Sequence, residues 1–411
     1  MKTLLFILFS LQVFVTAFAQ EVSIKSHRVY PGENETGFPM ILYSESQSGY
    51  ITIEFDVQSV SLPDLHIIFK FCDKDWMPLD NAFLANNGKN TAYILDYATL
   101  PSTVADARYH FKNSYPDEQG YVEFPYSGKW MYFVVDAYDV SKIYGSGKFY
   151  VVYDELPLSG SIKKEQLEDK VYFPSDLAKV FNVTAEFNLS DELSPSYISG
   201  IEIIENRKLS SPVNVTRDFN TNTRQFYWDG NRRFTFTARD IRPGNGYRTT
   251  DFRNINKFNS GNIRAQIDGL EYSRFTRNSL NDYNGASVLT KYNDEFATYL
   301  NVNFSIRPPE EISGNIFLTG AFNDWQLLPE YEMNNSGGVY SIDLNLKRGA
   351  YDYQYVLADV INNEIKNEDW YSLEGNKWEV SNEYHIFLYY TSPDFGGYEK
   401  IIGYSILKSK K

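Results

Sequence analysis

The chain has 411 residues and a formal net charge of −14, with 53 acidic and 39 basic side chains. This acidic balance argues against nucleic-acid binding, which depends on basic surfaces facing the phosphates. A single cysteine, Cys72, excludes an internal disulfide framework, and the 33 tyrosines and 29 phenylalanines favour a β-rich fold. The length is enough for two to four domains of ~100–200 residues each.

Residues 1–19 have the pattern of a secretory signal peptide. Lys2 precedes an apolar run, and the run ends in small residues at the −3 and −1 positions of a cleavage site. The run is shorter than the ~20 apolar residues of a spanning helix, so we expect cleavage between Ala19 and Gln20 and no transmembrane segment. With only one cysteine, the exported chain is expected in a bacterial periplasm.

The segment 20–159 is predicted to form a first β-sandwich. Apolar residues alternate with polar ones over 51–57, which is the pattern of a strand with one buried face. Aromatic and β-branched runs follow at 129–138 and 148–157, and Ser-Gly turns bound them. The Leu-Pro-Leu-Ser-Gly-Ser sequence that comes next marks a boundary between domains.

Two further sandwiches are predicted, over 160–307 and 308–411. Each segment contains at least five strand-like runs, and Pro308-Pro309 would interrupt any strand ladder between them. The middle segment carries 20 basic and 18 acidic residues, whereas both flanks are acidic. We therefore predict an all-β protein of three consecutive antiparallel β-sandwiches, of the immunoglobulin-like or early-set type.

No catalytic or metal-binding constellation is evident. The four histidines are scattered and never show HxH or HExxH spacing, and no GxSxG motif occurs. Paired carboxylates such as Asp73 and Asp75 are common in so acidic a chain and are more often solvated than catalytic. The sequence therefore predicts a protein that is not an enzyme and binds neither a metal ion nor a cofactor.

The stretch "FLTGAFNDW" and the strand "YDYQYVLAD" after it resemble the early-set sandwich of glycogen-binding modules. The resemblance implies a sugar site at Asn323 and Trp325, with Trp370 as a second aromatic residue. The lysine of that family is replaced by Gln354, so a structural role for Trp325 is favoured and glucan binding is unlikely. A carbohydrate-binding accessory protein of the cell envelope remains the alternative hypothesis.

A wider resemblance covers nearly all of the mature chain. Four motifs occur in order: "FKFCDKDWMPLDN" (69–81), "ENRK" (205–208), "RPGNGYRTTDFRNI" (242–255) and "SNEYHIFLYYTSPDFGGYEKIIGYSI" (381–406). Together they resemble the plug protein family of the Bacteroidetes type IX secretion system. This resemblance implies a periplasmic protein that binds the outer-membrane translocon barrel and closes its periplasmic opening when no substrate is exported.

Five basic residues are candidates for docking to an acidic barrel rim, because complementary charge guides protein association. They lie in or near one segment of the middle domain: Arg239, Arg242, Arg248, Arg253 and Lys257. The alternative is that they are ordinary solvated charges.

Overall fold

The computed structural model describes residues 22–44, 47–167, 176–218, 220–259, 261–267, 269–272 and 282–409. The predicted signal peptide and its cleavage site at Ala19 and Gln20 lie outside these residues. The described residues form 27 strands and three single-turn 3-10 helices, with no α-helix. None of these helices is long or apolar enough to cross a membrane. The predicted all-β class is confirmed.

The strands follow one another in four groups along the chain. The first group is β1 (Ser23–Pro31), β2 (Met40–Ser44), β3 (Gln47–Ser48), β4 (Ile51–Gln58), β5 (Leu65–Cys72), β6 (Thr91–Ala92), β7 (Tyr97–Thr99), β8 (Tyr109–Tyr115), β9 (Gly128–Asp136) and β10 (Ile143–Tyr153). The second is β11 (Ser159–Gln166), β12 (Lys179–Asn188), β13 (Ile198–Glu205), β14 (Val213–Thr216), β15 (Arg224–Trp228) and β16 (Arg233–Ile241). The third is β17 (Arg248–Asp251), β18 (Asn262–Arg264), β19 (Ser287–Leu289), β20 (Tyr299–Ile306), β21 (Asn315–Gly320), β22 (Asn334–Ser336), β23 (Val339–Lys347), β24 (Gly349–Ile361) and β25 (Glu364–Asp369). The last is β26 (Glu383–Ser392) and β27 (Tyr398–Lys408), and the 3-10 helices are Pro195–Tyr197, Pro329–Tyr331 and Asp394–Gly396.

The first ten strands form sandwich 1. Its sheets have the orders β1-β4-β8-β7 and β3-β2-β10-β9-β5-β6. All pairs are antiparallel except β2 with β10, which is parallel. Apolar and aromatic side chains from both sheets form one core between them, as expected for two sheets that pack face to face.

Strand β4 is buried on both faces, whereas the alternating sequence predicted one buried face. Ile51, Ile53, Phe55 and Val57 point into the core of sandwich 1, and Asp56 on the opposite face is also buried. The reason is that another part of the chain covers the polar face, and Asp56 forms an ion pair there. A strand's own sequence shows its alternation but not what covers its second face.

Sandwich 2 is completed by the last two strands of the chain. Its sheets are β11-β12-β16-β15 and β14-β13-β26-β27, so β26 pairs with β13 across nearly 200 positions of sequence. Ile386 and Leu388 of β26 lie in the same core as Ile201 of β13 and Phe236 of β16. The predicted unit 160–307 therefore lacks two strands of its own sandwich.

Sandwich 3 is built from β17 to β25. One sheet is β17-β24-β19, with β21 and β25 also paired to β24, and the other is β18-β20-β23-β22. Strand β18 is parallel to β20. The predicted boundary at 307/308 is therefore wrong, because β17 to β20 come from before it and belong to sandwich 3. Pro308 and Pro309 lie in a connection within that sandwich, whereas the first boundary, at 159/160, falls where β11 begins.

Candidate functional site

The GAFNDW turn follows β21 directly and is shaped by its own side chains. Asn323 accepts a hydrogen bond from the Gly320 amide (3.0 Å) and donates one to the Gln326 carbonyl (3.0 Å). A β-carbon at Gly320 would lie 2.5 Å from the Asp352 carbonyl oxygen, so only glycine fits there. Asn323, predicted as a sugar ligand in the alternative hypothesis, is thus engaged in forming the turn.

Trp325 is a core residue in this structure. Its side chain is 1% exposed, and the indole N–H donates to the Gly285 carbonyl at 2.7 Å. The Tyr247 ring lies 4.4 Å from the indole between centroids. Trp370 is half-buried and donates to the Glu368 carboxylate at 2.9 Å. A sugar ring has no free indole face to stack on at Trp325.

Asp352 holds the loop against which Trp325 packs. Its carboxylate accepts hydrogen bonds from the amides of Tyr283 (2.6 Å) and Gly285 (3.0 Å) and from the Thr249 hydroxyl (2.7 Å). Burial raises the pKa of Asp352 to about 7, and the nearby Asp282 adds to the rise, while the three hydrogen bonds oppose it. The site therefore contains a carboxyl group that titrates near neutral pH.

Arg248 is a buried structural residue and not a docking residue. Its guanidinium donates to Glu374 (2.9 Å) and Glu271 (2.9 Å) in the interior of sandwich 3 and is 5% exposed. Tyr355 donates to the same Glu271 carboxylate at 2.6 Å. Arg248 cannot reach a barrel rim from this position, which corrects the prediction for this residue.

The other four basic candidates lie in different parts of the fold. Arg239 is exposed on β16 of sandwich 2, whereas Arg253 and Lys257 are exposed after β17 in sandwich 3. Arg253 forms an ion pair with Asp251 at 2.6 Å. Arg242 is half-buried, and its guanidinium lies 5.3 Å from the centre of the Tyr371 ring. The segment is therefore divided between two sandwiches.

The described residues offer no cluster for a metal ion, and two of the histidines are unsuited to acid–base chemistry. No group of three or more His, Cys, Asp or Glu side chains in this part of the chain could hold a metal ion. Burial lowers the pKa of His27 to about 4 and that of His385 to about 3, so both imidazoles are neutral at physiological pH. Neither has the pKa near 7 that suits a general base.

A buried ion pair joins sandwich 1 to sandwich 2. Lys129 of β9 and Glu202 of β13 approach to 2.6 Å, and both are 2% exposed. The hydroxyls of Tyr150 (3.1 Å) and Tyr389 (2.8 Å) donate to the same carboxylate. The Tyr150 ring also stacks on Phe387 with centroids 4.3 Å apart. Each unit thus supplies charge, hydrogen bonds and apolar area to the junction.

A second buried network joins sandwich 1 to sandwich 3. Lys347 of β23 contacts Asp56 of β4 at 2.7 Å, and both side chains are 1% exposed. His110 and Tyr299 also bond this carboxylate, at 2.7 and 2.8 Å. Burial opposes ionisation of Asp56, but the His110 bond and the Lys347 charge outweigh it and hold the pKa of this carboxyl below its usual value.

Aromatic side chains also form an exposed cluster between sandwich 1 and the β26–β27 turn. Phe83 (67% exposed) stacks on Phe395 (41% exposed) at 5.5 Å between ring centroids. Tyr126 and Tyr398 complete the cluster. Phe395 has a φ of +52°, which is uncommon for a bulky residue. We call Phe83, Tyr126, Phe395 and Tyr398 the aromatic patch. Sequence reasoning missed it because the two segments are distant along the chain.

Comparisons with known proteins bear on the fold alone. No protein-family model matches this chain, and no curated protein matches it. The chain is similar to the crystal structure of a hypothetical protein from Parabacteroides merdae ATCC 43184, with 19% sequence identity and a TM-score of 0.75. The alignment covers 95% of this chain and 98% of the other. At this identity the likeness shows a shared arrangement of all three sandwiches.

Proposed function

We propose that this exported protein is a non-enzymatic plug of the type IX secretion translocon. It binds the outer-membrane barrel and closes its periplasmic opening when no substrate is in transit. The observation that carries this proposal is the joining of the sandwiches by buried ion pairs, Lys129–Glu202 and Lys347–Asp56. The ordered motifs that resemble the plug family supply the identity of the partner.

Rigidity is the property that a plug requires. Opening a junction would expose both partners of its ion pair to water, so the cost comes mainly from the apolar and aromatic area that is exposed with them. Separating sandwich 1 from either neighbour would break such a pair and expose the apolar area around it. The chain therefore resists bending at its junctions, as a body that fills a wide pore must.

The docking surface has two components in this proposal. Arg239 of sandwich 2 and Lys257 of sandwich 3 are exposed and supply positive charge to an acidic rim, whereas the charge of Arg253, also exposed, is balanced by Asp251. The aromatic patch supplies rigid apolar area, and aromatic residues are enriched among the anchors of protein interfaces. Arg248 is left out of this surface because it is buried.

Recovery of the protein from native outer membranes tests the proposal. An affinity-tagged chain, isolated from detergent-solubilised envelopes, is expected to bring a very large β-barrel protein with it. A tagged, unrelated exported β-protein serves as the background. Recovery of no barrel above this background would contradict the plug function.

Surface variants then locate the contact. Combined R239A, R253A and K257A is expected to lower barrel recovery at least ~fivefold, because charge on an interface guides association. The matched control replaces three exposed lysines elsewhere, K70A, K89A and K163A, and is expected to leave recovery unchanged. F83S with F395S tests the aromatic patch in the same assay. Equal recovery for all of these variants would rule out both surfaces.

No observation favours the carbohydrate-binding alternative. The aromatic platform that it requires is buried at Trp325, and Asn323 is used within the turn. We therefore do not propose glucan binding at the GAFNDW turn.

A further inference from the structure

A cavity of about 210 Å³ lies where the three sandwiches meet. Sandwich 1 contributes Arg28, Glu35 and Lys148, sandwich 2 contributes Arg207, and the GAFNDW turn of sandwich 3 contributes Asp324. Apolar residues such as Met131, Leu209 and Trp325 and three serines complete the wall. Five charged residues around so small a space must be balanced by one another or by something that the cavity holds.

One of the cations is balanced within the protein. Arg28 donates to Glu35 at 2.8 Å and to Glu54 at 2.7 Å. This group therefore provides no excess positive charge to the cavity.

Arg207 and Lys148 are cations without a carboxylate partner among the described residues. Arg207 donates to two main-chain carbonyls, those of Gly37 and Val29, although a guanidinium has five N–H donors. The ammonium of Lys148 makes no hydrogen bond in the described part of the chain, and its contact is the Trp76 ring at 5.3 Å. Burial lowers the pKa of Arg207 to about 10 and also lowers that of Lys148. Arg207 is therefore still charged at neutral pH.

Asp324 is the carboxylate that these two cations face, and it too makes no ion pair or side-chain hydrogen bond among the described residues. It lines the cavity and is exposed to water. With Arg28, Glu35 and Glu54 counted, the charges around the cavity sum to zero, so what it offers an anion is the unused N–H donors of Arg207 and Lys148.

We propose that this cavity is a binding site for a small oxyanion, of the carboxylate, phosphate or sulfate class, held by Arg207 and Lys148. Guanidinium groups bind such anions through paired hydrogen bonds, and a lysine adds a point charge. The volume corresponds to about seven water molecules at ~30 Å³ each. It therefore accommodates one small ion with some water and excludes a polymer.

The ion would stabilise the whole molecule, because residues of all three sandwiches surround it. A ligand that binds only the folded state raises stability with its concentration. For a chain of this size we expect an increase in Tm of about 2–5 °C at anion concentrations well above the dissociation constant.

The test is thermal unfolding of the mature chain in sodium acetate, phosphate or sulfate, against sodium chloride at equal ionic strength. At least one oxyanion is expected to raise Tm above the chloride value, by an increment that grows with the logarithm of its concentration above the dissociation constant. Lys148→Met is expected to weaken the apparent affinity at least ~tenfold. Lys142→Met, an exposed lysine in the same sandwich, is the matched control and is expected to retain the full effect.

Asp324→Asn tests the proposal through an expected gain of anion affinity. It removes the opposing carboxylate, so the affinity for the anion is expected to increase. The same increase in Tm should then be reached at a lower anion concentration. The proposal is overturned if no oxyanion exceeds chloride in the wild-type chain. It is also overturned if K148M and K142M respond alike, or if D324N binds more weakly. None of these outcomes depends on the translocon, so failure here and failure of the plug proposal are distinguishable.

Discussion

Trp325 shows how a motif shared with sugar-binding modules is used here as part of the core. The turn places the indole against Gly285 and Tyr247, while the adjacent Asp324 lines the cavity between the sandwiches. Asp324 and Trp325 both have a positive φ, +52° and +59°. Their side chains therefore point in directions that an extended strand would not give them. The residue of this turn that faces the proposed anion site is therefore Asp324, whose carboxylate opposes binding of an anion.

Replacing Trp325 with alanine should destabilise the protein strongly. The substitution removes a fully buried indole and leaves the Gly285 carbonyl without its donor, so we expect a loss of ~3–5 kcal/mol in the free energy of unfolding. Denaturant unfolding monitored by circular dichroism measures it. Trp228→Ala, at a site 37% exposed on sandwich 2, is the control and should cost much less. Equal losses would mean that Trp325 is not a core residue.

Asp352 should make stability fall as pH rises toward neutrality. Its pKa is raised from 3.8 to about 7 in the folded state, so the folded chain holds a proton that the unfolded chain has lost between these values. The stabilisation is complete below pH 3.8 and disappears as pH passes 7. Between pH 5 and pH 8 this group should lower the free energy of unfolding by ~2–3 kcal/mol.

Asp352→Asn isolates this contribution. The amide oxygen can accept from Tyr283 and Gly285, and the amide nitrogen can donate to the Thr249 hydroxyl, so the loop keeps its hydrogen bonds. Urea unfolding at pH 5 and pH 8 should show a smaller decrease in the variant than in the wild-type chain. Identical pH dependence in both would contradict the raised pKa.

Sequence patterns indicated the role of Trp325 better than they indicated the surroundings of Arg248. The structural role favoured for Trp325 agrees with its burial, because the missing lysine at Gln354 argued against a sugar site. Arg248 was misjudged, since an arginine in a polar segment looks solvated unless its partners are known. Those partners, Glu271 and Glu374, are 23 and 126 positions away in sequence. Burial of a charge depends on such distant partners, which no local pattern contains.

At the scale of elements, the sequence located strands but not all of their partners. The runs at 129–138 and 148–157 correspond to β9 and β10, which pair with each other. Strand β26, near the end of the chain, pairs with β13 and carries β27 with it, so neither joins the sheets that precede them in sequence. The alternation of apolar residues specifies which face of a strand is buried, but not which strand pairs with it. This is why the boundary at 307/308 failed.

Removing β26 and β27 should therefore unfold sandwich 2, which the predicted boundaries would have left intact. A chain that ends at Ser381 loses Tyr384, Ile386 and Leu388 from that core and exposes the edge of β13. We expect protease cleavage within 176–241 under conditions in which the chain ending at Ser409 resists it. Limited proteolysis with mass spectrometry measures this. Resistance of both chains would show that sandwich 2 is independent of the last hairpin.

At the scale of the whole molecule, each of the two junctions of sandwich 1 contains a buried ion pair. Lys129 with Glu202 and Asp56 with Lys347 lie there, although buried charges are rare in proteins. A buried ion pair is weak evidence for stability by itself, and the apolar and aromatic area packed around each pair supplies the resistance to separation. The arrangement therefore opposes independent movement of the sandwiches more than it stabilises any one of them.

Coupling of this kind should make the mature chain unfold as one cooperative unit. Differential scanning calorimetry is expected to give a single transition for the wild-type chain, with calorimetric and van't Hoff enthalpies that agree.

Lys129→Met leaves Glu202 charged and unpaired at the junction, so sandwich 1 should separate from sandwich 2. A second transition should then appear at lower temperature, with a loss of ~3–5 kcal/mol in the free energy of unfolding. Lys129→Met combined with Glu202→Gln removes the stranded charge and should recover part of this loss, whereas Lys163→Met, in an exposed pair with Glu165, should change little. Separate transitions in the wild-type chain would mean that the junctions do not couple the sandwiches, and the rigid body on which the plug proposal depends would be lost with them.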